Sequence, residues 1–119
     1  PILSQEAAIE ALEQCGSDVE RMKQEYMRRR NFMRASFEEM NIPCIEPSGA
    51  FYAFADVSQF GISAHQFALD LLEAENVAVV PGTAFGACGE GFIRCSYATS
   101  FDRIQVAMER IARFTESLS

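Results

Sequence analysis

Lysine is almost missing from this sequence: Lys23 is the only one in 119 residues. Histidine is as scarce, with His65 alone. No apolar run approaches the roughly 20 residues of a membrane-spanning helix, and no charged-then-apolar leader opens the chain. The four cysteines, Cys15, Cys44, Cys88 and Cys95, form no Cys-x-x-Cys pair. With a single histidine to assist them, a metal site is not expected. Nor is a serine–histidine–aspartate triad, since His65 falls in the first turn of a helical pattern and reads as a surface residue. Positive charge is also short, with ten Lys and Arg against seventeen Asp and Glu and a net charge of −7. That balance argues against nucleic acid, whose binding relies on clustered cations. The basic cluster Arg28-Arg29-Arg30, flanked by Arg21 and Arg34, lies on a helical pattern and reads as a solvated or domain-facing surface rather than a phosphate site. Unpaired cysteines in apolar settings, such as Cys95 between Ile93 and Tyr97, are small core residues of a reduced, cytoplasmic protein.

What is present suits one soluble domain over residues 1–119, with 49% apolar and 23% charged residues and enough length for one modest core. The opening Pro1-Ile2-Leu3-Ser4 reads as a cut into a longer protein. Ser4 is placed to cap an Ala-rich helix through Gln14, with Gly16 as its left-handed stop. Ser17-Asp18-Val19-Glu20 forms a capping box for a long second helix. Val19, Met22, Tyr26, Met33, Phe37 and Met40 form its apolar side, interrupted at Arg29 and Arg30. Pro43 and Pro47 bracket an extended piece, and residues 49–56 read as a strand. Ser63 to Gln66 is a further capping box, before a helix burying Ala64, Phe67, Ala68, Leu71 and Leu72. Val77 to Val80 is a continuous apolar run of the kind found in covered strands. Phe92 to Tyr97 is the last strand, and Ser100 caps a closing helix with Ile104, Ala107, Met108, Ile111, Phe114 and Leu118 on one side. The expected fold is α+β, a two-layer arrangement with a long N-terminal helix. Helices cover a small mixed, largely antiparallel sheet.

The segment from Pro81 to Ser100 carries the most chemistry. A Pro-Gly turn and the glycines Gly82, Gly86, Gly89 and Gly91 precede the last strand, and read as a mobile loop at the mouth of a site. In that strand Phe92, Ile93, Cys95 and Tyr97 surround a single charge, Arg94. Burying an ion costs several kcal/mol, on the order of that reported for unpaired charges, unless an opposite charge meets it. Either an acid of this chain, Asp56 or Glu90, pairs with Arg94, or a ligand does.

Gly49-Ala50-Phe51-Tyr52, then Val77 to Gly82, Phe85-Gly86 and Ile93-Arg94-Cys95-Ser96-Tyr97-Ala98-Thr99 resemble the C-terminal part of class I/II aminotransferases of fold type I, the aspartate aminotransferase type. The resemblance runs in order over nearly the whole chain. It implies the small domain of a homodimeric enzyme that moves an amino group between an amino acid and a 2-oxo acid. Such enzymes hold pyridoxal phosphate as a Schiff base to a lysine. Lys23, inside the charged stretch ERMKQEYMRRR, lacks the desolvated surroundings that activate a lysine. The resemblance therefore puts the cofactor-binding large domain, its ligands and the catalytic lysine outside this chain, which should have no activity and no bound cofactor alone. It assigns Arg94 to the substrate α-carboxylate, whose two oxygens suit the planar guanidinium fork. Phe51 is assigned to the lining of the substrate entrance. Cut from its partners, such a domain is expected to self-associate through its first helix and the Val77–Val80 run. The alternative is a free-standing or regulator-derived ligand- or protein-binding α+β domain with Arg94 in an internal ion pair.

Overall fold

The computed structural model describes residues 1–118. Two helices open it, α1 (Ile2–Gln14) and α2 (Gly16–Glu39), with only Cys15 between them. Cys15 is the N-cap of α2, and its carbonyl accepts the first bond of that helix from Val19 N–H at 3.1 Å. Ser4 lies inside α1, Gly16 is the first residue of α2 rather than a left-handed stop, and no side chain caps either helix. No side chain of α1 is buried, and Ile2, Leu3, Ile9 and Leu12 are exposed. The apolar side of α2 enters the core only in its second half: Met33 and Phe37 are buried while Val19 and Met22 stay exposed. At the interruption of that stripe, Arg29 Nε donates to Glu25 at 2.9 Å and Arg30 to the Pro47 carbonyl at 3.1 Å. Arg28 lies 3.9 Å from the ring centre of Phe101. The basic cluster thus engages groups of the protein itself.

The sheet contains β1 (Cys44–Ile45), β2 (Tyr52–Asp56), β3 (Val80–Pro81) and β4 (Phe92–Ser96), in the order β1-β2-β4-β3. The sheet expected to be mixed and largely antiparallel is antiparallel at every pairing. The run Val77–Val80 yields a shorter strand than its composition suggests. Asn76, at φ 54°, ends α3 (Ala64–Glu75) in a left-handed turn, and Val77 is buried in the core. Pairing begins only at Val80, on a sheet edge where Pro81 is tolerated because its missing N–H faces no partner strand. Ahead of β2, Ala50 at φ 58° bends the chain, and the Tyr97 hydroxyl holds its carbonyl at 3.1 Å.

Strand alternation separates the two faces of the sheet. Ala53, Ala55, Ile93, Cys95 and Tyr97 are buried and join one core with Met33 and Phe37 of α2 and Phe67 and Leu71 of α3. Ile104, Met108, Ile111 and Phe114 of α4 (Phe101–Ser117) complete it. Phe67 and Phe114 meet edge-to-face at 5.2 Å. The start of α3 is capped as expected by Ser63, which accepts from Gln66 N–H at 3.1 Å. The Gln66 side chain turns forward to Asp70 at 2.7 Å instead of closing the box. Ser100 is the N-cap residue of α4 but makes no side-chain bond there. Among the described residues, no helix is long and apolar enough to cross a membrane. The helices and this core occupy one side. Tyr52, Phe54, Phe92 and Arg94, all partly buried, alternate onto the other.

Candidate functional site

Arg94 sits mid-strand on that second face, directly opposite Phe54 of β2 and Val80 of β3. Tyr52 is its diagonal neighbour on the same face, within reach of a long side chain. The guanidinium carbon lies 4.3 Å from the ring centre of Tyr52 and 4.6 Å from that of Phe85. Phe85 in turn meets Phe54 edge-on at 5.8 Å.

Neither carboxylate named as a possible internal partner forms an ion pair with Arg94. Asp56 accepts from the backbone and hydroxyl of Ser58, at 2.9 and 2.6 Å. Glu90 accepts from Ala64 N–H at 2.9 Å, capping the start of α3. No salt bridge among the described residues includes Arg94. Its Nε is buried and makes no hydrogen bond. A buried donor without an acceptor costs about 1–3 kcal/mol, and each ring face returns roughly 0.5–2 kcal/mol. The rings soften the burial of the cation but cannot accept its in-plane hydrogen bonds. The internal ion pair of the alternative reading therefore has no partner here.

The glycine-rich segment, read from sequence as a mobile loop, folds into two short 3-10 turns, Gly82–Phe85 and Ala87–Gly89. Gly82 and Gly89 press backbone on backbone, and a Cβ on either would strike the carbonyl oxygen of the other. Glycine serves close approach here, which is what carries Phe85 over Arg94. The end of the segment is tied down by Val57 N–H to the Gly91 carbonyl at 2.8 Å and by Glu90 on α3.

Phe51 stands just before β2 and is 37% exposed. Its ring stacks on Tyr26 at 6.0 Å and touches Tyr52 at 4.6 Å. Tyr52 therefore links the two residues singled out from sequence. Tyr52 and Phe85 were missed as neighbours of Arg94. Period-two alternation across β2 was a signal for Tyr52; nothing local marked Phe85.

Lys23 lies on α2 with its Nζ 3.3 Å from Glu20 and its side chain 63% exposed. An exposed, ion-paired ammonium does not fit the anchor that pyridoxal phosphate requires, and this chain offers no other lysine. His65 is exposed on α3. Cys95 is a buried thiol whose pKa burial pushes up from 9.0 to about 12, which makes it an inert core group.

Sequence comparison matches residues 1–111 to the family model for aminotransferase class I and II. The chain is 51% identical over 114 residues to the putative aminotransferase YugH of Bacillus subtilis, covering 96% of this chain and 30% of that protein. It is 41% identical over 111 residues to aromatic-amino-acid aminotransferase 2 of Thermococcus litoralis, covering 92% of this chain and 28% of that protein. Among solved structures, an aromatic aminotransferase from Pyrococcus horikoshii superposes with a TM-score of 0.85 at 40% identity, over 90% of this chain and 29% of that one. The aspartate aminotransferase of Thermotoga maritima gives 0.81 at 39% identity, over 92% and 27%. The chain thus spans less than a third of the length of these relatives.

Proposed function

This chain belongs to the class I and II aminotransferases, and from that premise we propose that residues 1–119 are the C-terminal small domain of a longer pyridoxal-phosphate enzyme. That enzyme moves an amino group between an amino acid and a 2-oxo acid. Within it, Arg94 binds the substrate α-carboxylate and Phe51 lines the approach. The rest of the enzyme supplies a large domain, the cofactor's anchor and a homodimer partner, in the cytoplasm. The isolated chain, with Lys23 as its only lysine, is inactive.

One observation carries this reading: Arg94 is a partly buried cation with an unsatisfied Nε and, among the described residues, no acid paired with it. A carboxylate arriving at the terminal N–H groups of the guanidinium supplies the missing opposite charge, together with acceptors at those groups. The fork then fixes how the substrate lies as well as how tightly it is held. No residue of this chain fits the anchor of pyridoxal phosphate, its one lysine being exposed and ion-paired.

The test is Arg94→Lys in the full-length enzyme, which keeps the charge and removes the fork. KM values for amino and 2-oxo acids are expected to rise roughly ten- to a hundredfold, as for loss of a charged two-point contact of ~1.5–3 kcal/mol. Cofactor content should stay unchanged. Catalytic efficiency within about twofold of the parent toward every substrate tried, together with a sharp loss of stability, would make Arg94 a structural residue.

A further inference from the structure

We propose that Phe85 and Tyr52 are positioning residues that hold the Arg94 guanidinium in its carboxylate-binding orientation; this rests on the carboxylate role given to Arg94 above. The guanidinium carbon lies over both rings, at 4.3 Å for Tyr52 and 4.6 Å for Phe85. One ring comes from each side of β4. Tyr52 belongs to β2, and Phe85 to the turn that leaves β3, the strands flanking β4 in the sheet. A guanidinium held over two rings, one on each flank, is restricted in how it can turn, and its terminal N–H groups are left to meet a carboxylate.

The arrangement is built rather than incidental. Phe85 is 51% exposed, so burial alone does not account for its place. The backbone crossing of Gly82 and Gly89 carries it there, with Gly86 at φ 129° completing the turn. Phe54 braces the Phe85 ring from below at 5.8 Å, and Phe51 braces Tyr52 at 4.6 Å. An arginine is a rotamer-rich side chain, and ordering one on binding weakens affinity. A side chain ordered beforehand has no such loss.

The experiment uses the full-length enzyme and propionate as a monocarboxylate probe, with dissociation constants read by titration calorimetry. Phe85→Ala is expected to weaken propionate roughly three- to thirtyfold, the range for losing a cation–ring contact. Phe85→Leu keeps most of the volume without the ring face and should fall with it. Phe85→Tyr keeps the ring and should stay within about twofold of the parent. In kinetics the loss should appear in KM for amino acids with kcat little changed. The decisive readout is coupling: on an Arg94→Lys background, Phe85→Ala should change propionate binding by less than about twofold. If Phe85→Ala is as damaging on that background as alone, or if Phe85→Leu binds like the parent, the positioning role is overturned while the role of Arg94 stands. If Arg94→Lys alone leaves propionate binding unchanged, the carboxylate role fails and takes the positioning role with it. Thermal unfolding midpoints identify any variant that has lost its fold, and the half-exposed Phe85→Leu then carries the test.

Discussion

Replacing Arg94 with methionine separates a residue kept for a ligand from one kept for the fold. Methionine retains much of the arginine stem's length and flexibility, so the packing along β4 changes little. The substitution removes a buried Nε–H that has no acceptor, which relieves about 1–3 kcal/mol. It also forfeits two ring contacts, at 4.3 and 4.6 Å, each worth roughly 0.5–1 kcal/mol at a partly exposed site. The two effects oppose one another, and the expected net change is within about 1–2 kcal/mol of zero, most simply on the stabilising side. A true internal ion pair behaves otherwise, because stranding its other charge costs about 3–5 kcal/mol. The assay is equilibrium urea unfolding of the 119-residue chain, followed by far-ultraviolet circular dichroism, with parent and variant sharing one m-value. A loss of about 3 kcal/mol or more at constant m would mean that Arg94 has a structural partner, and the reasoning from its unpaired Nε would be wrong.

Mixing pyridoxal phosphate with the 119-residue chain is expected to give no saturable visible absorption band; one that disappears in Lys23→Arg would show that this exposed lysine is a genuine anchor after all. Burial raises the Cys95 thiol from 9.0 to about 12, so between those values the unfolded chain releases a proton that the native state retains. Stability from this group is full below pH 9 and declines as pH climbs toward about 12. Urea unfolding across that window should show a shallower alkaline decline in Cys95→Ala than in the parent, and identical slopes would place the thiol in contact with water.

The helices were legible in the sequence because a 3.6-residue apolar stripe is a local signal. The core residues Phe37, Phe67, Leu71, Ile104, Met108, Ile111 and Phe114 all lie on stripes that the pattern marks. Arg94 was legible too, as a charge among apolar strand residues. The caps were not. Ser4 falls inside α1, and Gly16 and Ser17 inside α2, because the chain passes from one helix to the next through Cys15 alone, a boundary that residue type does not mark. The extent of β3 was hidden for a similar reason, since an apolar run has the same composition whether it pairs with a neighbour or, like Val77, turns into the core. What only tertiary structure decided is the company Arg94 keeps. Asp56 and Glu90 are compatible with it in charge, yet Ser58 and the start of α3 engage their carboxylates. Phe85 carries no local mark of its role, and the Gly82–Gly89 backbone crossing sets it over the guanidinium. Residue type and period are properties of a few neighbouring positions; which ring or acid meets a given side chain follows from register, edge and loop closure across the whole chain.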